Sequence, residues 1–150
     1  YLINYPESPR LSEARYYQAE SYYRLKDFSK ALEIFNSIAG DNSFSLASRV
    51  TARQAELEYR AGRYEQAISY FRRMYRLAVN KKDIYNASNG LMESFFFTGQ
   101  YDSSAFYAQK IVEKGNVNAG AENKASLWLG KIAMARGDFD SAKDEFVNTV

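Results

Sequence analysis

One phrase recurs four times in this chain: LKDFSKALEIF (Leu25 to Phe35), AGRYEQAISYF (Ala61 to Phe71), TGQYDSSAFYA (Thr98 to Ala108) and RGDFDSAKDEF (Arg136 to Phe146). Its aromatic residues, Phe28, Tyr64, Tyr101 and Phe139, stand 36, 37 and 38 residues apart. Three positions later come Ala31, Ala67, Ser104 and Ala142, all small, and four further on Phe35, Phe71, Ala108 and Phe146. Nine before each aromatic sit Ala19, Ala55, Met92 and Gly130, and two before it Lys26, Gly62, Gly99 and Gly137. A fixed period in the high thirties marks a supersecondary unit that cannot bury its apolar face alone, so neighbours must stack.

Each unit reads as two helices. Ala14, Tyr17, Tyr22 and Leu25 fall near helical spacing in the first helix of unit one, and Ala31, Leu32, Phe35 and Ile38 in its second. The glycine between them supplies the left-handed residue that ends a helix at little cost. Where unit one has Lys26, strain of about 1 kcal/mol or a looser turn is expected. Ala19 and Ala31 are expected to let the two helix axes approach to about 8–10 Å, with the aromatic filling the groove beside them.

This order of small residue, aromatic, Gly, aromatic, small residue, aromatic resembles the tetratricopeptide repeat, in four copies over nearly the whole chain. The resemblance implies an all-α, right-handed superhelical solenoid of antiparallel helix pairs, with units at about 11–45, 46–82, 83–118 and 119–150. Residues 1–10 are then the tail of a preceding repeat, and the chain is expected to be part of a longer protein. Departures are the missing first-helix Trp, Met92 at a small position, and a period longer than the family's 34. The extra residues fit the turn-like stretches AGDNSFS, VNKKD and EKGNVNAG. Pro6 matches the proline that closes a repeat of this family, while Ser8 and Pro9 suit the cap and first turn of the next helix. The stretch YPESPRLSEARYYQAESYYRLKDFSKALEIF is also similar to repeats of bacterial outer-membrane assembly lipoproteins and periplasmic cell-division coordinators. That implies a periplasmic or outer-membrane-associated setting, with the cytoplasm as the alternative.

In such a stack the first helix of each unit lines the concave face. Helical geometry beside the packed stripe gives Glu13, Tyr16, Glu20, Tyr23 and Arg24 in unit one, and Arg49, Ala52, Glu56, Tyr59 and Arg60 in unit two. Unit three gives Asn86, Asn89, Glu93, Phe96 and Phe97, and unit four Lys124, Leu127, Lys131, Met134 and Ala135. Glu20, Glu56 and Glu93 share one position, Tyr23, Tyr59 and Phe96 another, Arg24 and Arg60 a third. Two readings stand: a groove of aromatic anchors and charges that grips a partner, or helix-surface ion pairs such as Glu20–Arg24 and Glu56–Arg60 with tyrosines padding the contact between units. Three consecutive phenylalanines, Phe95 to Phe97, cannot all face one way. At least one must meet a groove, a neighbour or a partner.

With no Cys and no His, the usual zinc sites and Ser–His or Cys nucleophile systems are absent, and no metal, cofactor or catalytic residue is expected. Glutamates one repeat apart and open to water suit glycoside hydrolysis poorly. The net charge of +2 is too balanced for phosphate binding by bulk charge, so nucleic acid is not expected as a partner. No run spans a bilayer. Arg72, Arg73, Arg76, Lys81 and Lys82 read as a solvated outer face, with an anionic surface or nucleic acid as the alternative, and Trp128 reads as packing. The expected role is a non-catalytic scaffold for a protein or peptide in bacterial envelope assembly. The alternatives are a glycan or peptidoglycan binder, motivated by 24 aromatics in 150 residues, or a regulatory array attached to a signalling domain.

Overall fold

A computed structural model describes residues 9–41, 45–114 and 119–148. The described residues form eight helices and no strand: α1 (Pro9–Arg24), α2 (Phe28–Ile38), α3 (Ala47–Arg60), α4 (Tyr64–Leu77), α5 (Lys81–Phe97), α6 (Tyr101–Lys114), α7 (Ala119–Ala135) and α8 (Phe139–Asn148). Packing runs between neighbours along the chain, α1 on α2 through to α7 on α8, and α3 also touches α5. The chain is an all-α solenoid of antiparallel helix pairs. Pro6, Ser8 and the middle of each of the two longer inter-unit stretches (42–44 and 115–118) lie outside the described residues. Lys81, Lys82 and Asp83, read as turn, are instead the first turn of α5.

All four hairpins turn the same way. The residue two before each aromatic has positive φ: Lys26 at 62°, Gly62 at 76°, Gly99 at 77° and Gly137 at 83°. Paired backbone bonds close each turn, as from Gly62 N to Tyr59 O at 3.0 Å and Arg63 N to Glu58 O at 3.0 Å. Lys26 repeats them to Tyr23 O at 3.0 Å, with Asp27 N to Tyr22 O at 2.9 Å. This is the Schellman arrangement. Unit one therefore keeps the tight turn and accepts the left-handed strain at lysine.

Three buried clusters run down the stack, each drawn from both helices of a unit and the first helix of the next. The first joins Tyr16, Ala19, Ala31, Leu32, Phe35 and Ile38 to Val50 and Leu57. The second joins Ala55, Ala67, Ile68 and Phe71 to Leu91 and Phe95. The third joins Met92, Ala108 and Ile111 to Ala121, Ala125 and Trp128. The expected α2 stripe is buried throughout. The expected α1 stripe is not. Ala14 is exposed, as are Tyr17 (55 %) and Leu25 (76 %), while Leu11, Ser12, Tyr16 and Ala19 face inward. Four tyrosines on α1 permit either stripe, and contact with α2 and α3 selects the second.

The small residues work by size complementarity. Ala19 meets the Phe35 cluster and Ala55 the Phe71 cluster. A Cβ built on Gly130 would lie 2.4 Å from the Phe146 ring. Unit three inverts the pair: Met92 is fully buried and the facing position is Ala108, also fully buried. Hydrophobic volume is thus conserved across the hairpin although the two helices exchange it. Ser104, at the small position of α6, adds a bond from Oγ to the Met92 carbonyl at 2.7 Å.

Lys26→Gly should raise stability by about 1 kcal/mol, a shift of a few degrees in thermal midpoint. Ala108→Phe alone should cost about 1–3 kcal/mol by overpacking, and Met92→Ala should restore part of that loss in the same chain. A double-mutant cycle of denaturant melts measures the coupling; additive costs would mean the two side chains do not share one space.

Candidate functional site

Four first helices present a row of polar and aromatic side chains, and neighbouring units clasp one another through it. Tyr23 Oη donates to Glu56 Oε1 at 2.5 Å, from α1 to α3. One repeat on, Tyr59 Oη donates to Glu93 Oε2, from α3 to α5. Cations complete each carboxylate. Arg53 of α3 grips Glu20 with two nitrogens, at 2.6 and 3.1 Å, and reaches Glu56 at 3.0 Å. Arg60 adds a bond to Glu56 at 3.1 Å. Glu93 takes Lys124 Nζ from α7 at 2.7 Å and Asn89 Nδ2 at 3.1 Å. The Arg53 guanidinium also lies 4.0 Å from the centre of the Tyr23 ring.

The electrostatics follow from this enclosure. Burial works against the Glu56 charge, but the Tyr23 hydroxyl and then Arg53 and Arg60 outweigh it and hold its carboxyl below the usual range. Burial, then the Glu93 carboxylate, pushes the Tyr59 phenol up, so it stays a donor at any ordinary pH. Burial also raises Tyr16, with Glu20 adding to it and Arg49 opposing.

The ladder changes character between units three and four. Where a tyrosine faces a glutamate in the first two junctions, Phe96 and Lys131 take the two positions. Neither can make the hydroxyl–carboxylate bond. Phe96 instead meets Trp128 at 5.1 Å and Tyr101 at 5.5 Å, edge to face. Lys131 Nζ sits 4.5 Å over the Trp128 ring, a favourable cation–π placement. Phe97 stacks on Tyr64 at 4.8 Å and meets Tyr59 at 6.4 Å and Trp128 at 6.0 Å. Its outer side stays open, with 48 % of the residue exposed.

The expected face residues divide accordingly. Glu20, Glu56, Tyr23, Tyr59, Arg60, Asn89, Glu93 and Lys124 are bonded within the chain. Tyr16 is 5 % exposed and belongs to the core. Tyr23, Tyr59 and Phe96 are half-buried, so the tyrosines pad and bond the junctions rather than standing free. Glu13, Arg24, Arg49, Asn86, Leu127, Lys131, Met134 and Ala135 are exposed. The expected Glu20–Arg24 pair gives way to Glu20–Arg53, and Arg24 makes no ion pair among the described residues. Arg53 is not singled out by the sequence pattern, although it lies three residues before Glu56, one helical turn away, and Tyr64 is expected there as a hairpin aromatic rather than as part of this face. Trp128 is packing, as expected. Phe95 is buried against Tyr107 at 5.9 Å, Phe96 meets the next unit, and Phe97 is the outward one.

A row of interlocked first helices in period with the hairpins is the geometry of a repeat scaffold. The family described as anaphase-promoting complex, cyclosome, subunit 3 matches residues 4–81. The chain belongs to this family, which is of the tetratricopeptide type. No curated protein matches the chain. Among solved structures, it is similar to PilW, described as a widely conserved type IV pilus biogenesis factor, with a TM-score of 0.70 and 18 % identity. The alignment covers 98 % of this chain and 63 % of that one, so this chain spans under two thirds of its neighbour. The fold is that of a protein-interaction scaffold. Among the described residues no helix is long and apolar enough to cross a membrane.

Because folding lowers the Glu56 titration, the folded state binds fewer protons than the unfolded one in the carboxylate range. The stability this contributes is present at neutral pH and lost as pH falls through the folded value. Glu56→Gln should therefore unfold more easily at pH 7 and show a shallower loss of stability on acidification. Thermal melts across the acid range check this, and parallel pH profiles for both proteins would count against it.

Proposed function

We propose that the chain is a non-catalytic scaffold that holds a peptide or protein segment against its first-helix face, the concave groove of the solenoid. The observation that carries this reading is the contrast within that face. Glu20, Glu56 and Glu93 are consumed by the clasps between units, while Phe97 and Leu127 remain exposed beside Trp128, with Lys131 at the rim. A wall fixed by its own bonds presents these side chains without an ordering cost on binding. The exposed aromatic is the kind of residue that anchors interfaces.

The setting we propose is bacterial envelope assembly, periplasmic or outer-membrane associated. The similarity of one stretch to envelope lipoprotein repeats supports it, as does the likeness in fold to a pilus biogenesis factor. Glycan binding is supported less. It calls for Tyr16, Tyr23, Tyr59 and Phe96 as open platforms, whereas Tyr16 is buried and the other three are half-buried in junctions. For the same reason Tyr59→Ala with Phe96→Ala is a stability change, not a test of binding.

A peptide library displayed on phage, panned on the wild-type chain, should yield sequences whose binding falls at least tenfold in Phe97→Ser/Leu127→Ser. The same sequences should bind normally to Phe106→Ser, whose exposed ring lies on a second helix. Phe97 also packs on Tyr64 and Trp128, so the Phe97→Ser/Leu127→Ser variant should melt somewhat lower than wild type, and binding is compared at a temperature where circular dichroism shows every variant folded. Selected peptides indifferent to the first pair, or lost equally with Phe106→Ser, would overturn the groove assignment.

A further inference from the structure

The corner between α4 and α5 has a composition unlike the rest of the surface. α4 ends at Leu77, and Ala78 leaves it in extended conformation (φ −68°, ψ 132°). Asn80 then caps α5: its side-chain oxygen accepts from Asp83 N at 2.8 Å and its Nδ2 donates to Asp83 Oδ2 at 2.7 Å. Between these fixed ends two aliphatic side chains stand in water, Val79 at 93 % exposure and Leu77 at 61 %. Around them, residues 72–83 carry five cations, Arg72, Arg73, Arg76, Lys81 and Lys82, against one carboxylate, Asp83, already bonded to Asn80. The whole chain is only +2, so the remainder is net acidic and the positive charge is concentrated here. Arg76, Lys81 and Lys82 are exposed and form no ion pair among the described residues.

A single exposed valine is unremarkable. Two exposed aliphatics on a capped turn, flanked in sequence by the exposed cations Arg76, Lys81 and Lys82, form a pattern with one good physical partner. We propose that this corner docks on an anionic phospholipid surface. Val79 and Leu77 enter the headgroup boundary, and Lys81, Lys82 and Arg76 meet lipid phosphates. A bilayer receives aliphatic side chains without a matching pocket. A nucleic acid would instead be held by stacking, and Tyr75, the aromatic of this stretch, is half-buried against Tyr107 at 5.6 Å. The corner also stands apart from the proposed groove. It opens the 17-residue α5, and Phe97 closes that helix, about 24 Å along the axis. Docking here leaves the first-helix face accessible.

Co-sedimentation with vesicles tests this, using phosphatidylcholine alone and phosphatidylcholine with about 30 % phosphatidylglycerol. The wild-type chain should bind only the anionic vesicles, and less as salt rises from about 50 to about 300 mM. Lys81→Gln/Lys82→Gln should weaken binding by about fivefold per lysine. Val79→Gln, at a site almost fully in water, should weaken it several-fold with an unchanged melting temperature. Absence of binding to anionic vesicles at low salt would overturn the proposal. So would a Val79→Gln variant that binds as wild type while the lysine pair abolishes binding to vesicles and to a single-stranded oligonucleotide alike, since the corner would then be an unspecific polyanion patch. Neither outcome bears on peptide capture by the first-helix face, which is measured without lipid.

Discussion

The stack depends on a close contact between the two helices of each hairpin, where one side chain must be small if the other is large. Ala19 with Phe35, Ala55 with Phe71 and Gly130 with Phe146 satisfy it one way round. Met92 with Ala108 satisfies it the other way. The conserved quantity is the summed volume in the gap, not the residue at either position. This explains how Met92 can stand where a small residue is expected without opening the hairpin. The next unit then rests on the surface so formed. Gly90 of α5 lies against Phe71 of α4 so closely that an added Cβ would fall 2.4 Å from the ring.

Once the hairpins are spaced in this way, first helices come side by side, and the Tyr–Glu ladder locks them. Each carboxylate is shared between units, so the ladder resists sliding and bending of one hairpin on the next. Its replacement by rings around Trp128 in the last junction keeps the contact but changes its chemistry. A hydroxyl without an acceptor, or a carboxylate without a donor, would be costly in a half-buried seam. Phe96 and Lys131 remove both at once. Phe97 and Leu127 are exposed beside this junction, and it is this end of the face that we propose for a partner.

Much of the fold was legible because its signal is periodic. Small residue, turn residue, aromatic and small residue recur in phase, and the turn residue has positive φ in every unit, Lys26 included. The α1 stripe was misread because polar residues take inward positions there. Ser12 is buried, with its hydroxyl donating to Asp41, and Tyr16 packs on Phe35 at 5.9 Å. A hydrophobic pattern does not register a serine as core, and it cannot choose between the adjacent Tyr16 and Tyr17. Arg53 escaped for a related reason: its partner Glu20 is 33 residues away, and nothing local distinguishes it from any solvated helix arginine.

Sequence alone determined that the chain forms stacked helical hairpins, since a recurring unit too small to bury its own apolar face has to lend that face to a neighbour. Tertiary structure decided which side chains of the shared face are spent inside the molecule and which are left for others. That choice turns on which groups of adjacent helices lie within bonding distance, and such distances are set by the packing of rings and small residues rather than by spacing along the chain.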